Sequence, residues 1–337
     1  MLRPVLLSAL LLAACSIQYR GAQAAAPDDH LAHMSDADRM APAASPVAQV
    51  RESQQDLRFP ASNNAAAARL AASNRHGEWV TIALEPGSTD SVMAWVVYPE
   101  TQQKAPVVVV VHEIFGLSTW VRGVADQVAA DGFIAVAPDF LSRVRGGPSS
   151  VEISGDSARR LISGVNSVER NRMITAVANW AMTQPAATQK YGVIGYCWGG
   201  TTTFMHAVHG GVAGFSGGVA FYGAPYMNPG TPATATTPAV AGGPAADSLA
   251  KIRVPIMLLN GSKDARIGAA MPAIDSIMRA LGKSYEGHNY EGAVHGFLRA
   301  QADPKAQRDE AEEAANMAAV RDAWPRTVAF LKRHLGA

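Results

Sequence analysis

Several common functional signatures are missing from this 337-residue sequence. The formal net charge is +1 and there is no run of basic residues, so we do not expect a nucleic acid as a partner. The sequence contains no GxxxxGK(S/T) phosphate-binding loop, no glycine spacing typical of dinucleotide binding and no HExxH zinc motif. We therefore expect neither a cofactor nor a bound metal ion.

Cysteine is scarce, and the two cysteines, Cys15 and Cys197, lie far apart. Cys15 follows a largely apolar run, residues 5–14, which is too short to span a membrane and is typical of a signal peptide. The AQA sequence at 22–24 matches a signal peptidase site and predicts a signal peptide over residues 1–24. Alternatively, LAAC at 12–15 matches a lipoprotein signal, in which Cys15 would carry a lipid and attach the protein to a membrane. Both interpretations predict an exported protein, periplasmic or secreted, and without Cys15 the mature chain has no disulfide.

Composition divides the rest of the chain into two parts. Residues 25–75 are rich in alanine, serine, asparagine, aspartate and proline without a sustained apolar period, which predicts a flexible N-terminal arm. Residues 76–337 are long enough to bury a large core as one domain. Within this domain, residues 228–246 are dense in proline, threonine, alanine and glycine, which predicts an insertion that is either a lid or a surface loop.

Strand-like and helix-like segments alternate through this domain. The run of five valines at 107–111 has no polar alternation, which is typical of a strand in a parallel sheet covered by helices on both faces. We predict further strands at 78–84, 91–98, 133–137, 191–195, 217–222, 254–259 and 283–290. Helices are predicted at 119–131, 199–206, 269–281 and 310–334, with one or two more within 156–184. The alternation predicts the α/β class, with a doubly wound, mostly parallel sheet.

The most informative motif is the pentapeptide GYCWG at residues 195–199. It follows a short apolar segment and precedes a segment that can begin a helix, as the GxSxG nucleophile elbow does, with cysteine in place of serine. Cys197 would lie at the N-terminus of that helix, where the partial positive charge favours a thiolate. The alternative is a small buried cysteine in an ordinary turn between a strand and a helix.

Two downstream residues complete a candidate triad in the order nucleophile, acid, histidine. Asp264 ends a polar turn after the strand at 254–259, and His295 lies in a glycine-flanked loop after the strand at 283–290. Because parallel strands end at the same edge of a sheet, both residues can reach Cys197. Asp264 would orient His295, which would take the proton from the thiol. Taken singly, the aspartate is also typical of a turn or helix cap and the histidine of a surface loop.

A fourth candidate group follows the valine strand. In folds with a nucleophile elbow, the loop after this strand supplies one backbone N–H of the oxyanion hole. We therefore predict that the N–H groups of Ile114 and Trp198 form the oxyanion hole. Glu113 precedes Ile114, at a place where a carboxylate should hinder anion binding. Either it points into solvent as a turn residue, or it has a specific task near the thiol.

With these motifs the sequence resembles the dienelactone hydrolases, which are cysteine-dependent hydrolases of the α/β-hydrolase fold. The matching segments are HEIFGL at 112–117, APDFLSR at 137–143, GYCWGG at 195–200, GSKD at 261–264 and HGFLR at 295–299. The resemblance implies that Cys197, Asp264 and His295 form the triad. It also implies that Glu113 is the partner of the resting thiol and moves when substrate binds.

The resemblance further implies that Arg143 and Arg299 bind a carboxylate of the substrate, with Arg145 as an alternative to Arg143. A planar guanidinium can bind a carboxylate through two parallel hydrogen bonds. We therefore expect a monomeric hydrolase of small carboxylic esters or lactones, acting through a Cys–His–Asp triad and an acyl-enzyme intermediate. The alternatives are an exported esterase that acts on an unrelated ester, and a catalytically silent binding protein of the same fold.

Overall fold

The structure is a computed structural model, and it describes residues 56–149, 155–234, 236–239, 242–300 and 310–337. The strands are β1 (Gly77–Ala83), β2 (Ser91–Val97), β3 (Ala105–Val111), β4 (Ile134–Asp139), β5 (Ala187–Tyr196), β6 (Phe215–Phe221), β7 (Met227–Asn228), β8 (Gly243–Pro244), β9 (Ile256–Gly261) and β10 (Tyr285–Tyr290). The helices are α1 (Ala66–Ala71), α2 (Thr119–Ala130), α3 (Ser142–Arg145), α4 (Gly155–Ser163), α5 (Ser167–Met182), α6 (Trp198–His209), α7 (Ala246–Leu249), α8 (Ala265–Ala280), α9 (Phe297–Ala300) and α10 (Glu310–Leu335).

Most of the described strands form one eight-stranded sheet, in the order β1-β2-β4-β3-β5-β6-β9-β10. β1 and β2 are antiparallel to each other at one edge, and β2 is antiparallel to β4. The strands from β4 to β10 along the sheet are parallel. The predicted α/β class with a mostly parallel sheet is therefore confirmed. The carboxyl ends of the parallel strands share one edge, which is where open α/β sheets bind their ligands.

The five valines lie in β3, between β4 and β5, and are fully buried. Val108 and Val110 pack with α2 and α10 on one face of the sheet. Val107, Val109 and Val111 pack with α4 and α5 on the other face. Because successive side chains of a strand point to opposite faces, two helical layers require apolar side chains at every position. The prediction of a strand covered on both sides is confirmed.

Side-chain caps determine where α8 and α5 begin, which the sequence pattern alone does not predict. Asp264 accepts the backbone N–H of Ile267 at 3.4 Å, so α8 begins directly after Asp264 and earlier than predicted. Asn166 accepts the N–H groups of Val168 and Glu169 at 3.0 Å each and begins α5. The region 156–184 therefore contains two helices, α4 and α5.

The C-terminal part of the predicted flexible arm, residues 56–75, packs against the domain and corrects that prediction. Ser62 and Ala66 are fully buried, and α1 packs against α2. Arg69 of α1 donates to the carbonyl oxygen of Phe59 at 2.7 Å and to Oε1 of Gln127 in α2 at 3.0 Å. The alanine-rich composition that predicts a tether also suits a short helix packed closely against a neighbour, because alanine favours helix and has a small side chain.

Residues 1–55 lie outside the described part of the chain, and with them the predicted signal peptide and Cys15. No described helix has both the length and the apolar composition needed to cross a membrane. Export and lipidation therefore stay predictions.

The predicted insertion at 228–246 is closed by the antiparallel pairing of β7 with β8, in which Met227 lies opposite Pro244. The described residues between these short strands, 229–234 and 236–239, are exposed. Exposure along the whole described stretch is typical of a surface loop, the second of the two interpretations.

Candidate active site

Cys197 lies at the turn between β5 and α6 and is the N-cap residue of α6. Its φ of 56° is in the left-handed region, which strains any residue other than glycine. A Cβ atom at Gly195 would overlap the carbonyl oxygen of Gly199, and one at Gly199 would overlap the carbonyl oxygen of Val111. Close backbone approach therefore requires both glycines, and the turn has the geometry of a nucleophile elbow.

The acid and the histidine of the predicted triad are hydrogen-bonded to each other. Nδ1 of His295 lies 2.6 Å from Oδ2 of Asp264, and 5% and 0% of the two side chains are exposed. The other carboxylate oxygen of Asp264 accepts the N–H of Ile267, which holds the carboxylate at the start of α8. Because a carboxylate only accepts hydrogen bonds, Nδ1 of His295 carries the proton and Nε2 is left as the base.

Cys197 and His295 interact through a hydrogen bond and through their charges. Burial raises the pKa of the Cys197 thiol, while the imidazole and the backbone N–H of Trp198 act in the opposite direction. Burial alone would lower the pKa of His295, but the charge of the Cys197 sulfur and the hydrogen bond to Asp264 raise it well above its ordinary value. The hydrogen bond to Asp264 and a negative sulfur both favour the protonated imidazole.

Glu113 lies inside the protein, so its interpretation as a solvated turn residue is wrong. Its Oε1 is 3.1 Å from Nε of Arg299, and 5% and 10% of the two side chains are exposed. The guanidinium of Arg299 also lies over the ring of Phe115, 5.2 Å from the centroid. The Glu113 carboxylate is close enough to Cys197 to raise the pKa of the thiol. The structure thus brings the thiol, a buried carboxylate and a buried guanidinium together.

His112 connects the two segments that carry the predicted oxyanion donors. Its Nε2 accepts the backbone N–H of Phe140 at 3.0 Å, and its Nδ1 donates to the carbonyl oxygen of Glu113. Its ring stacks on the indole of Trp198 with an angle of 11° between the planes. Burial lowers the pKa of His112, which keeps the ring neutral and able to both donate and accept. His112 therefore holds the loop of Ile114 beside Trp198.

Two further residues at the site carry no sequence signal. Arg170 in α5 is buried, and its Cζ lies 4.2 Å from the centroid of the Trp198 indole. Tyr222 follows β6 with a φ of 39°, and its ring centroid lies 5.0 Å from that of His295. Arginine is seldom buried, and a tyrosine after a strand belongs to no motif, so tertiary structure alone identifies these two residues.

Arg143 belongs to an ion-pair network outside the triad. Its Nη1 lies 2.8 Å from Glu169, and its Nη2 lies 2.9 Å from Asp90. Both ends of the guanidinium are thus engaged, and this geometry does not support the predicted role in substrate binding. Arg145, at the end of α3, is partly buried, and its contact with substrate stays a prediction. Arg299 is the predicted arginine that lies beside Glu113.

His206, in α6, is held by two side-chain hydrogen bonds. Nε2 of His206 lies 2.9 Å from the hydroxyl of Tyr191, and its Nδ1 lies 2.8 Å from Oδ1 of Asn171. Burial lowers the pKa of His206 to about 3, so the ring is neutral. Within the described ranges, no group of three or more His, Cys, Asp or Glu side chains is arranged to hold a metal ion.

A mostly parallel sheet, helices on both faces and a nucleophile elbow at the carboxyl edge define an α/β hydrolase. The dienelactone hydrolase family profile matches residues 92–335. The chain therefore belongs to the dienelactone hydrolase family, and it is a hydrolase of that type.

Comparison with individual proteins agrees with this assignment. The "Putative carboxymethylenebutenolidase" of Synechocystis sp. is 28% identical over 270 residues, which cover 76% of this chain and 97% of the relative. The "Probable 2-oxo-3-(5-oxofuran-2-ylidene)propanoate lactonase" of Bradyrhizobium sp. is 27% identical over 263 residues, covering 77% of this chain and 94% of the relative. The crystal structure of a "Putative Dienelactone Hydrolase" from Klebsiella pneumoniae has a TM-score of 0.57 at 24% identity, covering 75% of this chain and 98% of the other. At that identity the structural likeness supports the fold alone.

Proposed function

We propose that the protein hydrolyses small carboxylic esters or lactones, with Cys197 as nucleophile, His295 as general base and Asp264 as the residue that orients His295. The observation that carries the proposal is the buried 2.6 Å hydrogen bond between Asp264 and His295, beside a thiol at a helix N-terminus. A carboxylate that holds an imidazole next to a nucleophile is the arrangement common to hydrolase triads.

The proposed reaction has two halves. The thiol of Cys197 gives its proton to Nε2 of His295 as the sulfur attacks the carbonyl carbon. The oxygen that becomes negative is stabilised by the N–H groups of Ile114 and Trp198, and one such donor contributes about 3–4 kcal/mol in a well-studied hydrolase. The imidazolium then protonates the leaving oxygen, which leaves a thioester on Cys197. Water that loses a proton to His295 hydrolyses the thioester, releases the acid and restores the thiol.

We propose an acidic substrate because a cation is already paired with a carboxylate beside the thiol. A substrate carboxylate would compete with Glu113 for the guanidinium of Arg299. Glu113, once displaced, would be available to help remove the proton from Cys197. The Bradyrhizobium relative is named as a lactonase for a compound that carries a propanoate group, which supports this substrate class.

We propose that residues 1–24 direct export and that the mature protein is periplasmic or secreted. We also propose that it is a monomer. Burial and the nearby Glu113 raise the pKa of Cys197, which keeps the resting thiol protonated and slows its oxidation. The intact mass of the exported protein tests the processing site. Cleavage after residue 24 supports simple export, whereas a lipid-modified Cys15 supports attachment to a membrane.

Turnover of a panel of aryl esters and lactones, acidic and neutral, tests the function. With aryl esters we expect an initial burst of the released phenol equal to the protein concentration, because a good leaving group makes formation of the thioester faster than its hydrolysis. Cys197→Ala should abolish the burst and turnover, whereas Cys15→Ser, the matched change at the other cysteine, should retain both. Turnover that survives Cys197→Ala would refute the mechanism. No turnover of any panel member would support the catalytically silent binding protein, and equal rates on acidic and neutral esters would support the unrelated esterase.

A further inference from the structure

The loops that carry the acid and the histidine of the triad are bonded to each other. The acid loop, residues 262–264, lies between β9 and α8, and the histidine loop, residues 291–296, lies between β10 and α9. The backbone N–H of Lys263 donates to the carbonyl oxygen of Ala293 at 3.0 Å. The separation of the acid from the histidine therefore depends on how both loops are held.

The C-terminal helix, α10, packs against the histidine loop. A Cβ atom at Gly292 would lie 3.1 Å from Cβ of Ala315, so the loop and the helix are in close contact. Oδ1 of Asn316 accepts the backbone N–H of Val294 at 3.0 Å, inside the protein. Because Val294 directly precedes His295, this hydrogen bond attaches the backbone of the catalytic histidine to α10.

Asn316 is an unfavourable residue for a buried position in a helix. Asparagine forms helices less readily than alanine or leucine, and this side chain is fully buried. Its Nδ2 donates to no residue in the described part of the chain. A buried N–H group without an acceptor lowers stability. The favourable contribution of the side chain therefore comes through its oxygen, which holds the residue before the histidine.

A second contact of α10 reaches the acid loop, about one helical turn before Asn316. Nζ of Lys263 lies 2.6 Å from Oε2 of Glu312, and 48% of the lysine side chain is exposed. Partly exposed ion pairs contribute little, because water screens them. Loss of a buried acceptor costs more, because the N–H group left behind cannot bond to water instead. Of these two contacts, the hydrogen bond from Asn316 is therefore the stronger constraint on the triad.

We propose that Asn316 is a positioning residue of the triad, which fixes the histidine loop so that Nε2 of His295 stays beside the sulfur of Cys197. The proposal concerns the same site as the proposed function and rests on it for the roles of the thiol and the imidazole. A displacement of about 1 Å at a reacting group can lower a rate about 100-fold. Asn316 thus acts on the reaction through His295.

Alkylation of Cys197 by iodoacetamide measures the position of His295 without any need for turnover. The full chain is used with Cys15→Ser, so that Cys197 is the sole thiol. His295 lowers the pKa of this thiol through its charge and its hydrogen bond. Asn316→Leu removes the acceptor and keeps a side chain of similar size, so displacement of His295 should raise the pH midpoint of alkylation. We expect a rise of at least about half a pH unit, since a whole charged hydrogen bond corresponds to about one to two units.

Steady-state kinetics of the same variant give a second readout. Asn316→Leu should lower kcat for the best ester of the panel about 10- to 100-fold and leave KM within about threefold, because the loss concerns the proton transfer. Thr327→Val is the matched control, since Thr327 is also a fully buried polar residue of α10 and its Oγ1 donates within the helix, to the carbonyl oxygen of Ala323 at 2.8 Å. It should keep the midpoint and kcat of the parent.

An unchanged midpoint in Asn316→Leu would overturn the proposal, and so would an equally large rise in Thr327→Val. If Asn316→Leu does not fold, Asn316→Ala takes its place, because alanine also lacks the acceptor and favours the helix. Failure of the proposed function is distinguishable from failure of the positioning role. A raised midpoint, with no ester turned over by the parent or any variant, overturns the function alone. Normal turnover with the midpoint of the parent overturns the positioning role alone.

Discussion

Replacement of Asp264 by asparagine removes the charge that holds His295 while keeping the size of the side chain. The hydrogen bond to Nδ1 is 2.6 Å long, and both partners are buried. A hydrogen bond to a charged group contributes about 1.5–3 kcal/mol, or about 10- to 150-fold in rate. The asparagine amide would also donate to Nδ1, so that Nε2 would carry the proton and no longer accept one from the thiol. The same change in a serine-protease triad lowers kcat about 10⁴-fold, so we expect a loss of about 10³- to 10⁴-fold in kcat/KM.

The assay is hydrolysis of the best substrate from the ester panel by purified Asp264→Asn protein. Asparagine can still accept the N–H of Ile267, so the cap of α8 is kept and the Tm should fall by a few degrees at most. Asp247→Asn, the same change at an exposed carboxylate in α7, should retain full activity. The loss of one charged hydrogen bond should lower activity at least about tenfold. If Asp264→Asn kept more than about a tenth of the parent activity, Asp264 would not be the residue that orients His295.

Two further predictions concern the charged groups around the thiol. Glu113→Gln removes a negative charge that raises the pKa of Cys197. The pH midpoint of Cys197 alkylation should therefore move to lower pH. An unchanged or higher midpoint would contradict this role of Glu113. Arg299→Met should raise KM for acidic esters about tenfold more than for neutral ones, because a charged hydrogen-bond pair is lost. Arg143→Met should leave both KM values within about twofold and lower the free energy of unfolding by about 1 kcal/mol or less, as partly exposed ion pairs do. The reverse pattern, with KM for acidic esters raised by Arg143→Met alone, would show that the wrong arginine has been assigned to the substrate.

Local patterns account for the parts of the structure that the sequence predicted correctly. The valine side chains of β3 point to both faces of the sheet, and they are buried only if helices cover both faces. The valine run alone therefore indicates a buried parallel strand. The elbow is partly local, because Gly195 must leave room for the carbonyl oxygen of Gly199 four residues later, whereas Gly199 lies against Val111 at the end of the neighbouring strand. Asp264 and His295 could be proposed because each follows a strand of a parallel sheet, which brings both to the same edge.

The amino-acid sequence by itself determined the fold class and the edge of the sheet where the chemistry lies, because periodicity and tight turns depend on near neighbours. Only the tertiary structure decided the partners of the charged residues: Arg299 with Glu113, and Arg143 with Asp90 and Glu169. It also decided that residues 59–66 pack into the apolar cluster that contains Cys197 instead of forming a tether. These contacts join residues far apart in the chain, and an arginine or an alanine-rich segment has the same local pattern whether it is solvated or buried. Which of the two it becomes depends on the surface that the rest of the fold presents to it.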